Sequence, residues 1–303
     1  MTEKYLSLAR RGKNDWWRYF VSILIILACY QVVGIIPMIV LSVALSLDND
    51  PTTQLSPETG QFEGIPPLLP YLTVNFILVS LLIGLYISLR LLHERHLITL
   101  ITPKSQISWK RVFSGFGVYF ALLCLIGIVG LIFFPVSYRV SFNPAQFFIF
   151  LPIALILTPI QTSAEELFFR GYLMQWIALK AKKPIIPILV SSLIFMLPHL
   201  LNPEADLNLL VMSSFYFLFG VFLAFVTVWD NSLELALGAH AANNLFVVLI
   251  VNYEDSALPS SPIFTATQFS PLASLLGFLA IATVFCGVFM RKRKPANSSH
   301  KSV

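Results

Sequence analysis

Two adjacent carboxylates and an arginine, Glu165, Glu166 and Arg170, stand in an otherwise apolar stretch that runs from Gln161 to Leu173. Downstream come His199 and then His240 and Asn244, the last two four residues apart. A carboxylate and an imidazole can together orient and deprotonate a water molecule. A second imidazole and an amide can donate hydrogen bonds to the oxyanion formed when that water attacks a carbonyl. The set therefore suits hydrolysis without a serine or cysteine nucleophile. The chain contains neither Gly-x-Ser-x-Gly nor His-Glu-x-x-His, the signatures of a nucleophile elbow and a zinc helix. The run His93-Glu94-Arg95-His96 has the wrong spacing for two metal ligands one helical turn apart. His93, His96 and His300 receive no role.

Spacing sorts the motif residues. Glu166 and Arg170 are four apart, so on a helix they share a face and can pair. Glu165 lies about 100° round the helix and can point at another neighbour. His240 and Asn244 form one polar stripe, and Pro198 precedes His199. Each feature alone has a plainer reading: a Glu–Arg clamp between helices, a histidine or asparagine bonding one helix to the next. Their co-occurrence in the second half of the chain argues for one shared cavity.

The elements that position these residues read as membrane spans. Of 303 residues, 57% are hydrophobic and 12% charged, against about 25% charged in soluble domains. Stretches near 19–46, 67–90, 112–135, 146–164, 184–200, 207–229, 233–252 and 270–290 are long and apolar, and a span needs about 20 such residues. The expected fold is all-α and polytopic, with about eight transmembrane helices. The first stretch is too long for the core of a signal peptide and carries Gly34 and Pro37, which would kink it. Cys29, Cys124 and Cys286 each lie in an apolar run and read as buried small hydrophobes.

Charge placement tests the span count. With eight spans, 18 of the 20 Lys and Arg residues fall on one side, and only Arg139 falls opposite. Asp48, Asp50, Glu58, Glu63, Glu204, Asp206, Glu254 and Asp255 take the other side. Basic loops stay cytoplasmic, so both termini are expected inside the cell. The net charge of +5 then reflects topology, and no nucleic-acid partner is expected. The basic tail can touch anionic lipid.

At these residues the chain resembles the CPBP (CAAX protease and bacteriocin-processing) intramembrane endopeptidases, which include the Rce1-type CAAX proteases. The family's Glu-Glu-x-x-x-Arg motif stands as Glu165-Glu166-Leu-Phe-Phe-Arg170, continuing Gly171-Tyr-Leu173. Phe-x-x-x-His stands as Phe195-Met-Leu-Pro-His199, and His-x-x-x-Asn as His240-Ala-Ala-Asn-Asn244. The resemblance covers about 145–252. It implies a glutamate-dependent, metal-independent protease with no cofactor. Glu165 and His199 would activate water, His240 and Asn244 would form the oxyanion site, and Glu166 and Arg170 would pair to hold the motif helix.

The expected organisation is three N-terminal spans over 1–144, a catalytic core over 145–252, and a last span with a basic tail over 253–303. The expected partners are the lipid bilayer and a membrane-associated protein or peptide substrate, and the expected location is the plasma membrane. Oligomeric state is left open. Two other readings stand beside the protease: a non-catalytic membrane scaffold or regulator that retains the motifs, and a transporter. The absence of internal repeats weighs against the transporter. Helix lengths place Glu165 and His199 equally deep but His240 only about 10 Å below Leu233. Either the turn 230–234 is recessed in the protein, or the motif helix leaves the membrane early, as Gln175, Trp176 and Lys180 suggest. The second is favoured.

Overall fold

The computed structural model describes residues 4–48, 50–56, 62–254 and 256–290. Glu58, Asp255, His300 and the basic tail from Arg291 to Lys301 lie outside them. The protein is nearly all-α. Among the described residues six helices are long and apolar enough to cross a membrane: α1 (Trp16–Leu47), α2 (Leu68–Leu91), α3 (Trp109–Phe133), α4 (Pro144–Ala178), α6 (Leu209–Asp230) and α8 (Pro271–Met290). Two shorter apolar helices, α5 (Ile185–His199) and α7 (Glu234–Leu249), complete the bundle. Their positions match the eight expected stretches. Large apolar side chains remain exposed along α1 to α6 and α8, as surface facing lipid requires, and this is an integral membrane protein.

Local chemistry sets the irregularities. In α1 the helix passes into a π-helical turn at Cys29–Val33, breaks at Gly34 and Ile35, and resumes at Ile36 with Pro37 in its first turn. Proline suits that position because its missing N–H would be unpaired there anyway. Asn143 caps α4 by accepting from the Gln146 N–H at 3.2 Å. Helix α4 is 35 residues long, about 52 Å at the α-helical rise, so it must extend past a hydrocarbon core of about 30 Å.

Between helices in lipid there is little hydrophobic drive, so close packing and small residues decide association. The α3–α7 crossing shows this. A Cβ on Gly238 would lie 2.0 Å from the Val112 carbonyl oxygen, and one on Gly115 2.5 Å from that of Leu235. The two backbones touch at residues where only glycine fits. The cysteines are half-buried and unpaired, more exposed than their apolar surroundings suggested.

The two ends of the bundle differ. At one end a three-stranded sheet, order β3-β5-β4, ties Tyr138–Val140 (β3), Val251–Tyr253 (β4) and Phe264–Ala266 (β5) together. The separate β1–β2 pair (Gln54–Leu55 and Phe62–Glu63) closes the α1–α2 connection. At the other end the basic segments gather into a covering layer. The Tyr5 N–H donates to Asn231 Oδ1 at 2.7 Å, the Lys13 N–H to the His93 carbonyl at 2.9 Å, and the Leu233 N–H to the Ile101 carbonyl at 2.8 Å. Arg111 pairs with Asp230 in the same layer.

This layer corrects one expectation. The turn 230–234 is recessed: Leu233 and Glu234 are fully buried, roofed by the N-terminal 3-10 helix Tyr5–Arg11 and by Ile101. The end of α4 does not lie free as an interfacial helix. Met174 and Gln175 are buried, and Trp176 stacks on Tyr19 with ring centroids 4.6 Å apart. The layer supplies enough backbone and side-chain partners to bury residues whose polarity suggested the interface.

Candidate active site

Helix α4 changes pitch at the motif. Residues through Glu166 are α-helical, Leu167–Leu173 form a π-helical segment, and α-helix resumes at Met174. Such wide turns are rare and collect at functional sites. Gly171 shows what fixes this one. A Cβ there would lie 2.9 Å from Leu100 Cβ and 3.1 Å from the Leu100 carbonyl oxygen. The covering layer therefore rests directly on the π-helical turn. The Tyr5 hydroxyl reinforces the contact by donating to the Leu100 carbonyl at 2.5 Å.

Glu166 and Arg170 pair as their spacing required, with Nη1 donating to Oε1 at 2.7 Å, both residues fully buried. The same Oε1 accepts from His240 Nδ1 at 2.8 Å. Arg170 Nη2 reaches the Gly220 carbonyl at 3.3 Å, and its guanidinium lies 4.2 Å from the centre of the Phe195 ring. Glu166 thus joins α4 to α7, and Arg170 joins α4 to α5 and α6.

Glu165 points elsewhere. His199 Nε2 from α5 lies 4.0 Å from its Oε2, and His240 Nε2 from α7 lies 3.7 Å from the same oxygen. Both separations exceed direct hydrogen-bond length. That Oε2 atom has no hydrogen-bond partner among the described residues. His199 Nδ1 sits 2.7 Å from the Phe195 carbonyl. A carbonyl only accepts, so the proton is assigned to Nδ1, and neutral His199 presents a bare Nε2 toward Glu165. The same reasoning puts a proton on His240 Nδ1, donated to Glu166. Asn244 lies one turn past His240, about 6 Å along α7, and is buried. Its side-chain oxygen accepts from Asn243 at 3.1 Å, which leaves the Asn244 amide N–H pair available to donate.

The structure therefore brings Glu165, Glu166, Arg170, His199 and His240 into one cluster, with Asn244 on the adjoining turn. The sequence reading omitted the contribution of α6. Tyr216 packs on His199 with ring centroids 4.8 Å apart, and Phe219 meets the edge of His240 at 5.3 Å. Those aromatics carry no charge, and their helical spacing is that of an ordinary packed face. Only the Gly220 carbonyl and the ring contacts reveal their place beside the site.

The site is thus a buried Glu–Arg–His cluster facing inward among helices of membrane-spanning length. Residues 144–246 match the family model described as type II CAAX prenyl endopeptidase Rce1-like. The uncharacterized protein YyaK of Bacillus subtilis (strain 168) is 31% identical over 292 residues, covering 96% of each chain. The chain belongs to this Rce1-like family of membrane proteases. No solved structure matches it.

Proposed function

We propose that the protein is an intramembrane endopeptidase that hydrolyses a peptide bond in a membrane-associated protein or peptide with a glutamate-activated water. The observation that carries this is the convergence of His199 Nε2 and His240 Nε2 on Glu165 Oε2 at 4.0 and 3.7 Å. Two acceptors, the Glu165 carboxylate and the bare His199 nitrogen, fit the two hydrogens of one substrate water. Its oxygen lone pair is then directed away from both, toward a carbonyl carbon. Glu165 takes the proton as the C–O bond forms and passes it to the departing amine.

His240 and Asn244 donate to the oxyanion. Because its Nδ1 proton is held by Glu166, His240 donates from Nε2 only as the doubly protonated ring. Glu166 and Arg170 hold the motif helix and the His240 ring in place. Water is the only co-reactant the scheme needs.

The basic segments gathered in the covering layer support a cytosolic side for that end of the bundle and, with the basic tail of the sequence, for both termini; on this reading the site lies beneath a cytoplasmic roof, and we assign the protein to the plasma membrane. The core is taken as 145–252, with 1–144 supplying the roof and flanking spans and 253–303 the last span and tail.

The test compares protein termini in cells expressing wild type or Glu165→Gln at matched levels. New termini are expected with wild type only. Identical termini maps, with a wild-type phenotype in the variant, would move the protein to the scaffold reading.

A further inference from the structure

A cavity of about 520 Å³ opens in the covering layer, lined by none of the Glu–His cluster residues. Its polar lining includes Arg11, Glu94, Arg95, His96, Lys104 and Ser105. The one carboxylate, Glu94, is ion-paired with Lys13. Among the described residues three cations line the space, of which Arg11 also donates to the Pro103 carbonyl at 3.0 Å, and the acidic group there is already matched.

Arg95 is the buried part of this site. It is 1% exposed. Its Nε donates to Thr99 Oγ1 at 3.2 Å and its Nη2 to Gln175 Oε1 at 2.7 Å, both neutral acceptors. No carboxylate pairs with it among the described residues, and Nη1 has no hydrogen-bond partner there. A guanidinium stays charged in a protein, and an uncompensated buried charge is strongly disfavoured. The side chain is nevertheless held firmly. A Cβ at Gly12 would lie 2.2 Å from Arg95 Cγ and 2.4 Å from the His93 carbonyl oxygen, so the N-terminal backbone clamps its stem.

We propose that this cavity binds a phosphate-bearing anion, with Arg95 Nη1 as its buried donor and the Arg11 and Lys104 side chains at its rim. Arginine matches the oxygens of such groups bidentately. Three cations suit a multiply charged group with several acceptor oxygens better than a single carboxylate. The cavity lies in the layer where the basic segments gather, so the phosphate can belong to an anionic lipid headgroup or to a soluble compound. The inference is independent of proteolysis.

The experiment uses the full chain in phosphatidylcholine nanodiscs. Thermal unfolding is followed against inorganic phosphate, with ionic strength held constant by chloride. A parallel arm replaces part of the phosphatidylcholine with phosphatidylglycerol at fixed protein concentration. Wild type is expected to melt higher in at least one arm. Arg95→Gln should weaken the response about tenfold or more, and Lys104→Gln, on an exposed side chain, about threefold. A response to phosphatidylglycerol alone identifies a headgroup, and one to phosphate alone a soluble ligand; either supports the site. No response in either arm, or equal responses in wild type and both variants, overturns it. If Arg95→Gln does not fold, Lys104→Gln decides, and an undiminished response there overturns the site.

Discussion

Two arginines, Arg170 and Arg95, are among the largest fully buried side chains of the protein, and they are solved differently. Arg170 sits within the bundle and is closed by a carboxylate four residues away on its own helix. Arg95 sits in the covering layer and, among the described residues, is met only by neutral oxygens from Thr99 and Gln175. The first is a finished ion pair, locked to His240 through the shared Glu166 oxygen. The second keeps an unused donor. A buried charge with a built-in partner supports structure, whereas one without a partner is suited to receive a ligand.

The comparison can be broken first at the carboxylates. Glu165 and Glu166 are adjacent, but only Glu166 is held by Arg170. Glu165→Gln should reduce cleavage to background in a reconstituted assay while thermal unfolding barely changes. Comparable residual activity would remove Glu165 from the chemistry. Arg170→Ala strands Glu166 in the interior and should cost about 3–5 kcal/mol, read by chemical or thermal unfolding. Arg95→Met leaves no buried carboxylate behind and should cost only about 1–3 kcal/mol, mainly from the Gln175 oxygen losing its donor. Equal losses for the two arginines would erase the distinction drawn here.

Next in size, Asn244→Ala should lower kcat by about 10²–10³ with little change in KM, as expected for an oxyanion donor. Gly171→Ala sharpens the link between the two regions, because the added carbon presses Leu100 against the π-helical turn. A stability loss of about 1–3 kcal/mol is expected, and an unchanged melting temperature would mean that the roof does not bear on the motif.

The smallest effect concerns His93, which lies in the covering layer. It is fully buried, with Nδ1 2.8 Å from the Lys13 carbonyl and Nε2 2.9 Å from the Tyr172 hydroxyl. Burial pushes its pKa below the ordinary 6.5. The unfolded chain therefore binds the proton more readily, and stability should fall as pH drops below about 6.5 toward the folded value. His93→Gln should flatten that decline in pH-dependent unfolding curves. A parallel slope in the variant would show that His93 is not its source.

Much of the site was legible because its chemistry is local. Glu166 and Arg170 pair through a single helical turn, so spacing alone foretold their contact. Glu165 was expected to face a different neighbour, and it meets the histidines of α5 and α7. The helices were legible because about 20 apolar residues in a row admit few other readings. The depth of the site was not legible. It depends on whether Leu233 is exposed or roofed, and its roof comes from residues more than 100 positions earlier. His93 and Arg95 looked like loop residues for the same reason: a basic, polar run gives no sign that a distant N-terminal helix will cover it.

The amino-acid sequence by itself determined the membrane-helix class, the order of the motifs and the Glu166–Arg170 pairing, all of which follow from composition and short-range periodicity. Tertiary structure decided the rest. It made Glu166 a shared acceptor for His240, brought Tyr216 and Phe219 against the histidines, recessed the 230–234 turn and buried Arg95 with no carboxylate partner among the described residues. These outcomes depend on which surfaces far apart in the chain come into contact, and hydropathy and helical spacing carry no record of that choice.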